Sequence, residues 1–298
     1  MLKLERVTKV YKVGTFGGKE LTAVRDVSFE LQPGEVVSLI GESGSGKTTV
    51  GKMILRLTPI TGGAITFDGV DVSRLKRGRV KGYYRQVQGV FQDPFSSYNP
   101  IFKADRVFSM LRGAYFRQLS SAEWERKLHA SIEAVSLAPA QVLHKYPHQL
   151  SGGQLQRLLI ARALLLDIKY LVADEIISML DASTRIDVLN LLGDLKARGL
   201  GVLFITHDLS LGHYISDRTM ILRKGVVVEL GPTASVFGNP QHRYTKLLLD
   251  SVPQLHTKWN GDGVLESYAV ADDEAGVNGG SPALVEVEPG HFFAAEES

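Results

Sequence analysis

Apolar residues alternate with polar ones at Leu2 and Leu4 and again at Val27, Phe29 and Leu31, which predicts half-buried strands over residues 2–13 and 21–31. Gly14-Thr15-Phe16-Gly17-Gly18 and Pro33-Gly34 read as turns. The pattern then changes. Val36-Val37-Ser38-Leu39-Ile40 is a continuous apolar run, the mark of a buried strand, and Val50, Met53, Ile54 and Leu57 recur at helical spacing. Gly62-Gly63 leads into a short strand over Ala64–Phe67 that ends in a turn, and Val90-Phe91-Gln92-Asp93-Pro94 reads as a buried strand broken by proline.

From about Ala104 to Tyr146 the pattern is helical. Ser120 and Glu123 form a capping box, followed by Trp124, Leu128, Ile132 and Val135 on one face. A long amphipathic helix follows Leu150-Ser151-Gly152-Gly153-Gln154 and runs through Leu166. Apolar strands return at Lys169–Glu175 and Val202–Thr206, and Met220–Leu222 with Val226–Val228 form a hairpin across Lys224-Gly225. Strands alternating with helices predict an α/β fold with a mainly parallel central sheet, an N-terminal antiparallel β subdomain and an all-α insertion.

The candidate chemistry sits at strand ends, where ligands bind in such sheets. Gly41-Glu42-Ser43-Gly44-Ser45-Gly46-Lys47-Thr48 fits the phosphate-binding pattern G-x-x-x-x-G-K-[ST] between a strand and a helix. Its glycines let backbone N–H groups turn inward, forming with the helix N-terminus a cradle for phosphate oxygens. Lys47 can reach the terminal phosphates, and the Thr48 hydroxyl can ligate Mg²⁺. Asp174 and Glu175 end a buried strand, where paired carboxylates are costly unless matched by a cation. Asp174 is read as holding Mg²⁺ through its water shell, and Glu175 as orienting or deprotonating an attacking water. Ser151 serves as a helix N-cap or as part of a second anion site. Tyr11 is a packing aromatic or a stacking platform for a purine.

Composition narrows the classes. The 298 residues contain no cysteine, which excludes disulfides, thiolate metal sites and cysteine-ligated clusters. No run of 18 apolar residues and no N-terminal signal pattern occurs, so a soluble, cytoplasmic protein is expected whose membrane role comes through a partner. The net charge of +2 hides an asymmetry: Trp259–Ser298 holds nine Asp and Glu with no Lys or Arg, leaving +11 on residues 1–258. A basic body suits a nucleotide, a nucleic acid or a membrane-surface partner equally.

Taken together, these motifs closely resemble the ATP-binding subunit of an ATP-binding cassette (ABC) transporter, from about Met1 to Pro253, with Leu150–Gln154 the most specific element. The resemblance implies that Tyr11 stacks on adenine and that Gly41, Ser43, Gly44, Ser45, Gly46, Lys47, Thr48 and Thr49 hold the phosphates of ATP. It implies that Gln92 senses Mg²⁺ and water, that Asp174 and Glu175 are metal holder and catalytic carboxylate, and that His207 contacts the γ-phosphate. Ser151, Gly153 and Gln154 would complete the ATP site of an opposing subunit, identical or related, and Asp181 matches the aspartate that crosses that dimer.

A narrower resemblance, to the peptide/nickel/oligosaccharide importer branch, is carried by Asn239–Leu248 and Val252-Pro253, by Gln92–Pro94 through Asn99-Pro100, and by Tyr146-Pro147-His148. Arg243 stands where that branch commonly has proline, Ile176 follows the catalytic glutamate where proline is usual, and the cysteine cluster of some members is missing. The expected organisation is an ATPase domain over 1–235 with its helical insertion at about 104–166, an importer-type extension over 236–258, and a disordered acidic tail over 259–298. The expected partners are integral-membrane permease subunits, a second ATPase subunit and, indirectly, an extracytoplasmic solute-binding protein, with the chain peripheral on the cytoplasmic face. A soluble ABC ATPase acting on DNA or the ribosome is the alternative. A single cassette without coiled-coil insertion or basic tail disfavours it, and no nucleic-acid partner is expected.

Overall fold

The computed structural model describes residues 1–13, 18–251 and 282–295, and the chain divides into two compact units, residues 1–75 with 203–298 and residues 76–202. In the first stretch, β1 (Leu2–Val13) and β2 (Lys19–Leu31) pair antiparallel, with Leu2 opposite Leu31 and Tyr11 opposite Leu21. Their alternation buries Leu2, Leu4, Val7, Val24, Val27, Phe29 and Leu31 on one face. The turn expected at Gly14–Gly18 lies, but for Gly18, outside the described residues.

Every residue of β3 (Val36–Ile40) is buried, and its one polar member, Ser38, exchanges a 2.9 Å hydrogen bond with Thr219, which meets Thr233 at 3.0 Å. α1 (Lys47–Ile54) follows. The helix is shorter than the periodicity predicts: Arg56 turns left-handed at φ 54°, Pro59 follows, and Leu57 is exposed. β4 (Gly62–Phe67) then pairs with β1, and β5 (Val70–Asp71) with β4, completing an antiparallel sheet of order β2-β1-β4-β5.

The second unit opens with α2 (Arg77–Gln86) and β6 (Val87–Val90). The strand predicted through Pro94 stops at Val90, because Asp93 accepts from the Phe95 amide at 2.9 Å and its carbonyl from the Ser96 hydroxyl at 2.8 Å, forming a turn around Pro94. α3 (Arg106–Tyr115), α4 (Ser121–Glu133), α5 (Pro139–Val142) and α6 (Gly152–Leu164) follow. α4 carries the predicted capping box of Ser120 and Glu123 and buries Trp124, Leu128 and Ile132. β7 (Tyr170–Asp174), entirely buried, runs parallel to β6, and α7 (Ala182–Ala197) completes the unit.

β8 (Gly201–Thr206) leads back to the first unit, through α8 (Leu209–Ile215), β9 (Arg218–Arg223), β10 (Val226–Pro232), α9 (Thr233–Gly238) and α10 (Arg243–Asp250). β9 is parallel to β3 and forms the predicted hairpin with β10. The fold is α/β, with one antiparallel sheet and one mostly parallel sheet. Among the described residues no helix is long and apolar enough to cross a membrane.

One expectation is departed from over part of its range. The acidic composition predicts disorder over 259–298, yet β11 (Leu284–Glu288) and β12 (His291–Ala294) form a hairpin, and β12 pairs with β10, Glu229 opposite Phe293 and Leu230 opposite Phe292. Gly290 closes the turn at φ 76°, and His291 and Ala294 are buried. Docking on β10 supplies the burial that this short acidic segment lacks by itself. The remainder of the predicted tail, and the end of the importer-type extension at Val252-Pro253, lie outside the described residues.

Candidate functional site

The phosphate loop is held in shape by backbone on both sides. A Cβ on Gly46 would lie 2.4 Å from the Ala23 carbonyl oxygen of β2, and one on Gly41 would lie 2.1 Å from the Leu222 carbonyl oxygen of β9. Gly46 also sits at φ 105°, a conformation open to glycine. The Gly225 amide donates to the Ser45 carbonyl at 2.8 Å, and the Arg25 amide to the Gly225 carbonyl at 2.8 Å. β2 and the β9–β10 turn thus clamp the loop. Tyr11 lies close along the same ladder, since Tyr11 faces Leu21 two residues before Ala23, and the Lys9 ammonium stands 4.8 Å from its ring centroid.

Inside the loop, the buried Lys47 ammonium donates to the Gly41 and Glu42 carbonyls at 2.7 Å each. Gly46 begins α1 with no side-chain cap, and the buried Ser45 hydroxyl has no hydrogen-bond partner among the described residues. An uncapped helix N-terminus beside a lysine and an orphaned hydroxyl suits phosphate oxygens. Thr48 is exposed on the first turn. His207 is exposed directly after β8, while Asp208 beside it caps α8 by accepting from the Leu211 amide at 3.2 Å.

In the second unit, Asp174 is the buried last residue of β7. Glu175 follows at φ 50°, an uncommon conformation for a residue with a side chain, held by the Ser178 amide and hydroxyl, which donate to its carbonyl at 3.2 and 2.9 Å. Ile176 is buried, so the residue that replaces the usual proline fills the core. Gln92 is exposed two residues past β6.

Ser151 caps α6, its hydroxyl accepting from the Gln154 amide at 3.1 Å while the Gln154 side chain accepts from the Ser151 amide at 3.0 Å. Gly153 lies against α7, where a Cβ would come 2.7 Å from Thr184 Cγ2. Asp181 caps α7, and the Ser183 hydroxyl, the Thr184 amide and the Thr184 hydroxyl hold its carboxyl well below the usual carboxylate range. The unit therefore brings Ser151, Gly153, Gln154 and Asp181 to two adjoining helix N-termini.

The family described as ABC transporter matches residues 24–178, more than half of the chain. The chain belongs to the ABC transporter family. Residues 228–280 also match the oligopeptide/dipeptide transporter C-terminal region. The chain is 41% identical over 286 residues to the oligopeptide transport ATP-binding protein AmiF of Streptococcus pneumoniae, covering 95% of this chain and 91% of that protein. It is 39% identical over 280 residues to the oligopeptide transport ATP-binding protein OppF of Bacillus subtilis, covering 93% and 90%. The ATP-binding cassette MJ0796, solved as a dimer in a post-hydrolysis state bound to ADP and Pi, matches with a TM-score of 0.70 and 30% identity, over 78% of this chain and 99% of that one. As an ABC transporter ATPase, the chain binds and hydrolyses ATP.

Two features of this ABC ATPase escaped the motif reading. Gly225, the turn residue that fixes Ser45, was placed only as a hairpin corner. Polar side chains of α6, the buried Gln156 and the half-buried Arg162, also grip the segment that leads to Gln92: Gln156 Nε2 donates to the Phe91 carbonyl at 3.3 Å and Arg162 Nη2 to the Gly89 carbonyl at 2.8 Å. A helix with glutamine and arginine on its inner face was the available signal.

Proposed function

We propose that the chain is the ATP-hydrolysing subunit of an oligopeptide importer, peripheral on the cytoplasmic face of a permease and working with a second ATPase subunit. The observation that carries this reading is the clamped phosphate loop with its uncapped helix and orphaned Ser45 hydroxyl, on a chain whose C-terminal region matches that of oligopeptide/dipeptide transporters. The oligopeptide transport names of the relatives favour it over a soluble ATPase acting on DNA or the ribosome.

Residues Gly41 to Thr49 bind the phosphates through backbone amides, and Lys47 neutralises their terminal charge. Tyr11 stacks on adenine through its ring face. Asp174 and the Thr48 hydroxyl are hard oxygen donors that suit Mg²⁺, a cation usually held by one or two carboxylates together with substrate phosphates. When bound, Mg²⁺ would offset charge on the β- and γ-phosphate oxygens. Glu175 orients the attacking water and takes its proton, with Gln92 beside the water and His207 donating to the γ-phosphate. Ser151, Gly153 and Gln154 present the α6 N-terminus to the nucleotide of the opposite subunit, and Asp181 lines that junction. An extracytoplasmic solute-binding protein delivers the peptide to the permease.

The test is reconstitution. The chain is purified with the permease subunits that copurify from native membranes and placed in liposomes with the copurifying binding protein. Oligopeptides of mixed sequence are expected to raise ATP hydrolysis and to accumulate inside. Stimulation by an oligosaccharide or by nickel, with none by peptides, overturns the substrate assignment.

A further inference from the structure

The C-terminal hairpin is wired to the phosphate loop through a buried carboxylate. Glu229, on β10, is fully buried, and Oε1 accepts from the His291 ring Nε2 of β12 at 2.8 Å and from the Gln241 amide at 2.8 Å, while Oε2 accepts from the His242 amide at 3.1 Å. His242 caps α10, its Nδ1 accepting from the Tyr244 amide at 3.0 Å. At the second position of α10, the buried Tyr244 hydroxyl accepts from the amide of Glu42, second residue of the phosphate loop, at 3.3 Å. Tyr244 also packs in one apolar cluster with Ile40, the residue just before the loop, and with Ile221, Val228 and Leu248.

The hairpin contact is built rather than incidental. Gly231 leaves the space that His291 occupies, since a Cβ there would lie 3.0 Å from the His291 Cα, and Asn239 donates to Glu288 at 3.1 Å. His291 Nδ1 is buried with no partner among the described residues, so the ring is anchored through Nε2, its bond to Glu229. A buried carboxylate is tolerated where several donors satisfy it, and Glu229 has three among the described residues.

We infer that Tyr244 is a positioning residue for ATP binding, holding the Glu42 amide and the mouth of the phosphate loop, and that the β11–β12 hairpin sets Tyr244 through His291 and Glu229. The inference rests on the nucleotide reading of that loop. Removing the Tyr244 hydroxyl frees the Glu42 amide to leave its place, so ATP affinity falls although no atom that touches ATP has changed. The hairpin acts on the same quantity from farther away.

The experiment uses the full chain and MgATP, with affinity followed by displacement of a fluorescent ATP analogue and melting followed without nucleotide. Tyr244→Phe is expected to weaken ATP binding by about three- to tenfold, the range for loss of one hydrogen bond, with little change in melting. His291→Ala is expected to weaken it in the same direction, His291→Gln to recover it by donating to Glu229, and the double variant to bind no worse than Tyr244→Phe alone. Wild-type affinity in Tyr244→Phe, or losses that multiply in the double variant, overturns the inference. Lys47→Ala in the same assay separates the two readings: binding retained there sinks the nucleotide assignment itself, whereas binding lost there and unchanged in Tyr244→Phe sinks only the role of Tyr244.

Discussion

The Gly225 amide donates to the Ser45 carbonyl at 2.8 Å, so the phosphate loop and the β9–β10 turn are fixed to each other across 180 residues of sequence. Gly225 adopts φ 85°, and a Cβ there would lie 2.7 Å from the Ala23 carbonyl oxygen. Gly69 adopts a similar φ of 78° with nothing near its missing Cβ. Both Gly→Ala variants carry backbone strain of about 1 kcal/mol, but only Gly225→Ala displaces a neighbour of the loop. Gly225→Ala is therefore expected to weaken ATP binding at least tenfold while Gly69→Ala binds as the parent does. Equilibrium titration of both variants, with melting curves, checks this; equal affinities remove the turn from the site.

Of the acidic pair, Glu175 is the one proposed to take the proton of the attacking water, and Asp174 the one proposed to hold Mg²⁺. Glu175→Gln preserves shape and the strained turn but removes the base, so turnover should fall by about 10²–10⁴ while ATP affinity survives. Light scattering should then show a dimer that accumulates with ATP. Near-normal hydrolysis by the assembled variant complex would falsify the role of Glu175.

What the sequence disclosed follows from how local each signal is. The phosphate loop, the β3 run, the capping box at Ser120 and the N-cap at Ser151 are set by neighbours within four residues, and each stands where it was expected. α2 was not foreseen, because Arg77–Gln86 is polar on nearly all sides, buries only Tyr83 and has no side-chain cap. The hairpin at Leu284–Ala294 did carry a strand-turn-strand pattern around Pro289-Gly290, but its acidic surroundings outweighed it. Its partner strand lies more than fifty residues earlier. Tyr244 stood out only within the importer-like segment and Glu229 not at all, since their partners Glu42 and His291 are distant in sequence. Arg243 departs from a common proline without consequence for the helix, because it is the first residue of α10, where proline is also favoured.

The N-cap role of Ser151 sharpens the test of the shared site. Aspartate caps helices as well as serine does, so Ser151→Asp keeps α6 intact while placing a negative charge where the opposite subunit's phosphates are proposed to bind. Hydrolysis should be lost, with the melting midpoint and ATP binding by the isolated chain unchanged. Loss of ATP binding by the isolated variant places the signature in its own subunit's pocket instead.

The final prediction concerns the surface proposed to meet the permease. The segment Phe95–Phe102 holds four large apolar residues, Phe95, Tyr98, Ile101 and Phe102, and the structure divides them. Tyr98 belongs to the core, where its hydroxyl donates to the Leu155 carbonyl at 3.4 Å and burial raises its pKa. Phe95, Ile101 and Phe102 are exposed, as is Met110 on α3, and Ile101, Phe102, Met110 and Tyr146 share one open depression with Lys103 and Arg106. The Arg106 guanidinium lies 3.5 Å from the Phe102 ring centroid and covers part of it. Exposed apolar anchors rimmed by cations suit a short amphipathic helix of the permease. Two such anchors contribute a few kcal/mol at about 25 cal/mol per Å² removed from water. The double change Phe95→Ser, Phe102→Ser is therefore expected to weaken assembly and uncouple transport while the chain still folds and binds ATP, because neither ring is buried in the core. The chain has no cysteine, so Ser97→Cys, at an exposed position in the same turn, provides a single reporter. It should crosslink to a cytoplasmic loop of the permease, and absence of a crosslink to any loop in either nucleotide state rules this surface out.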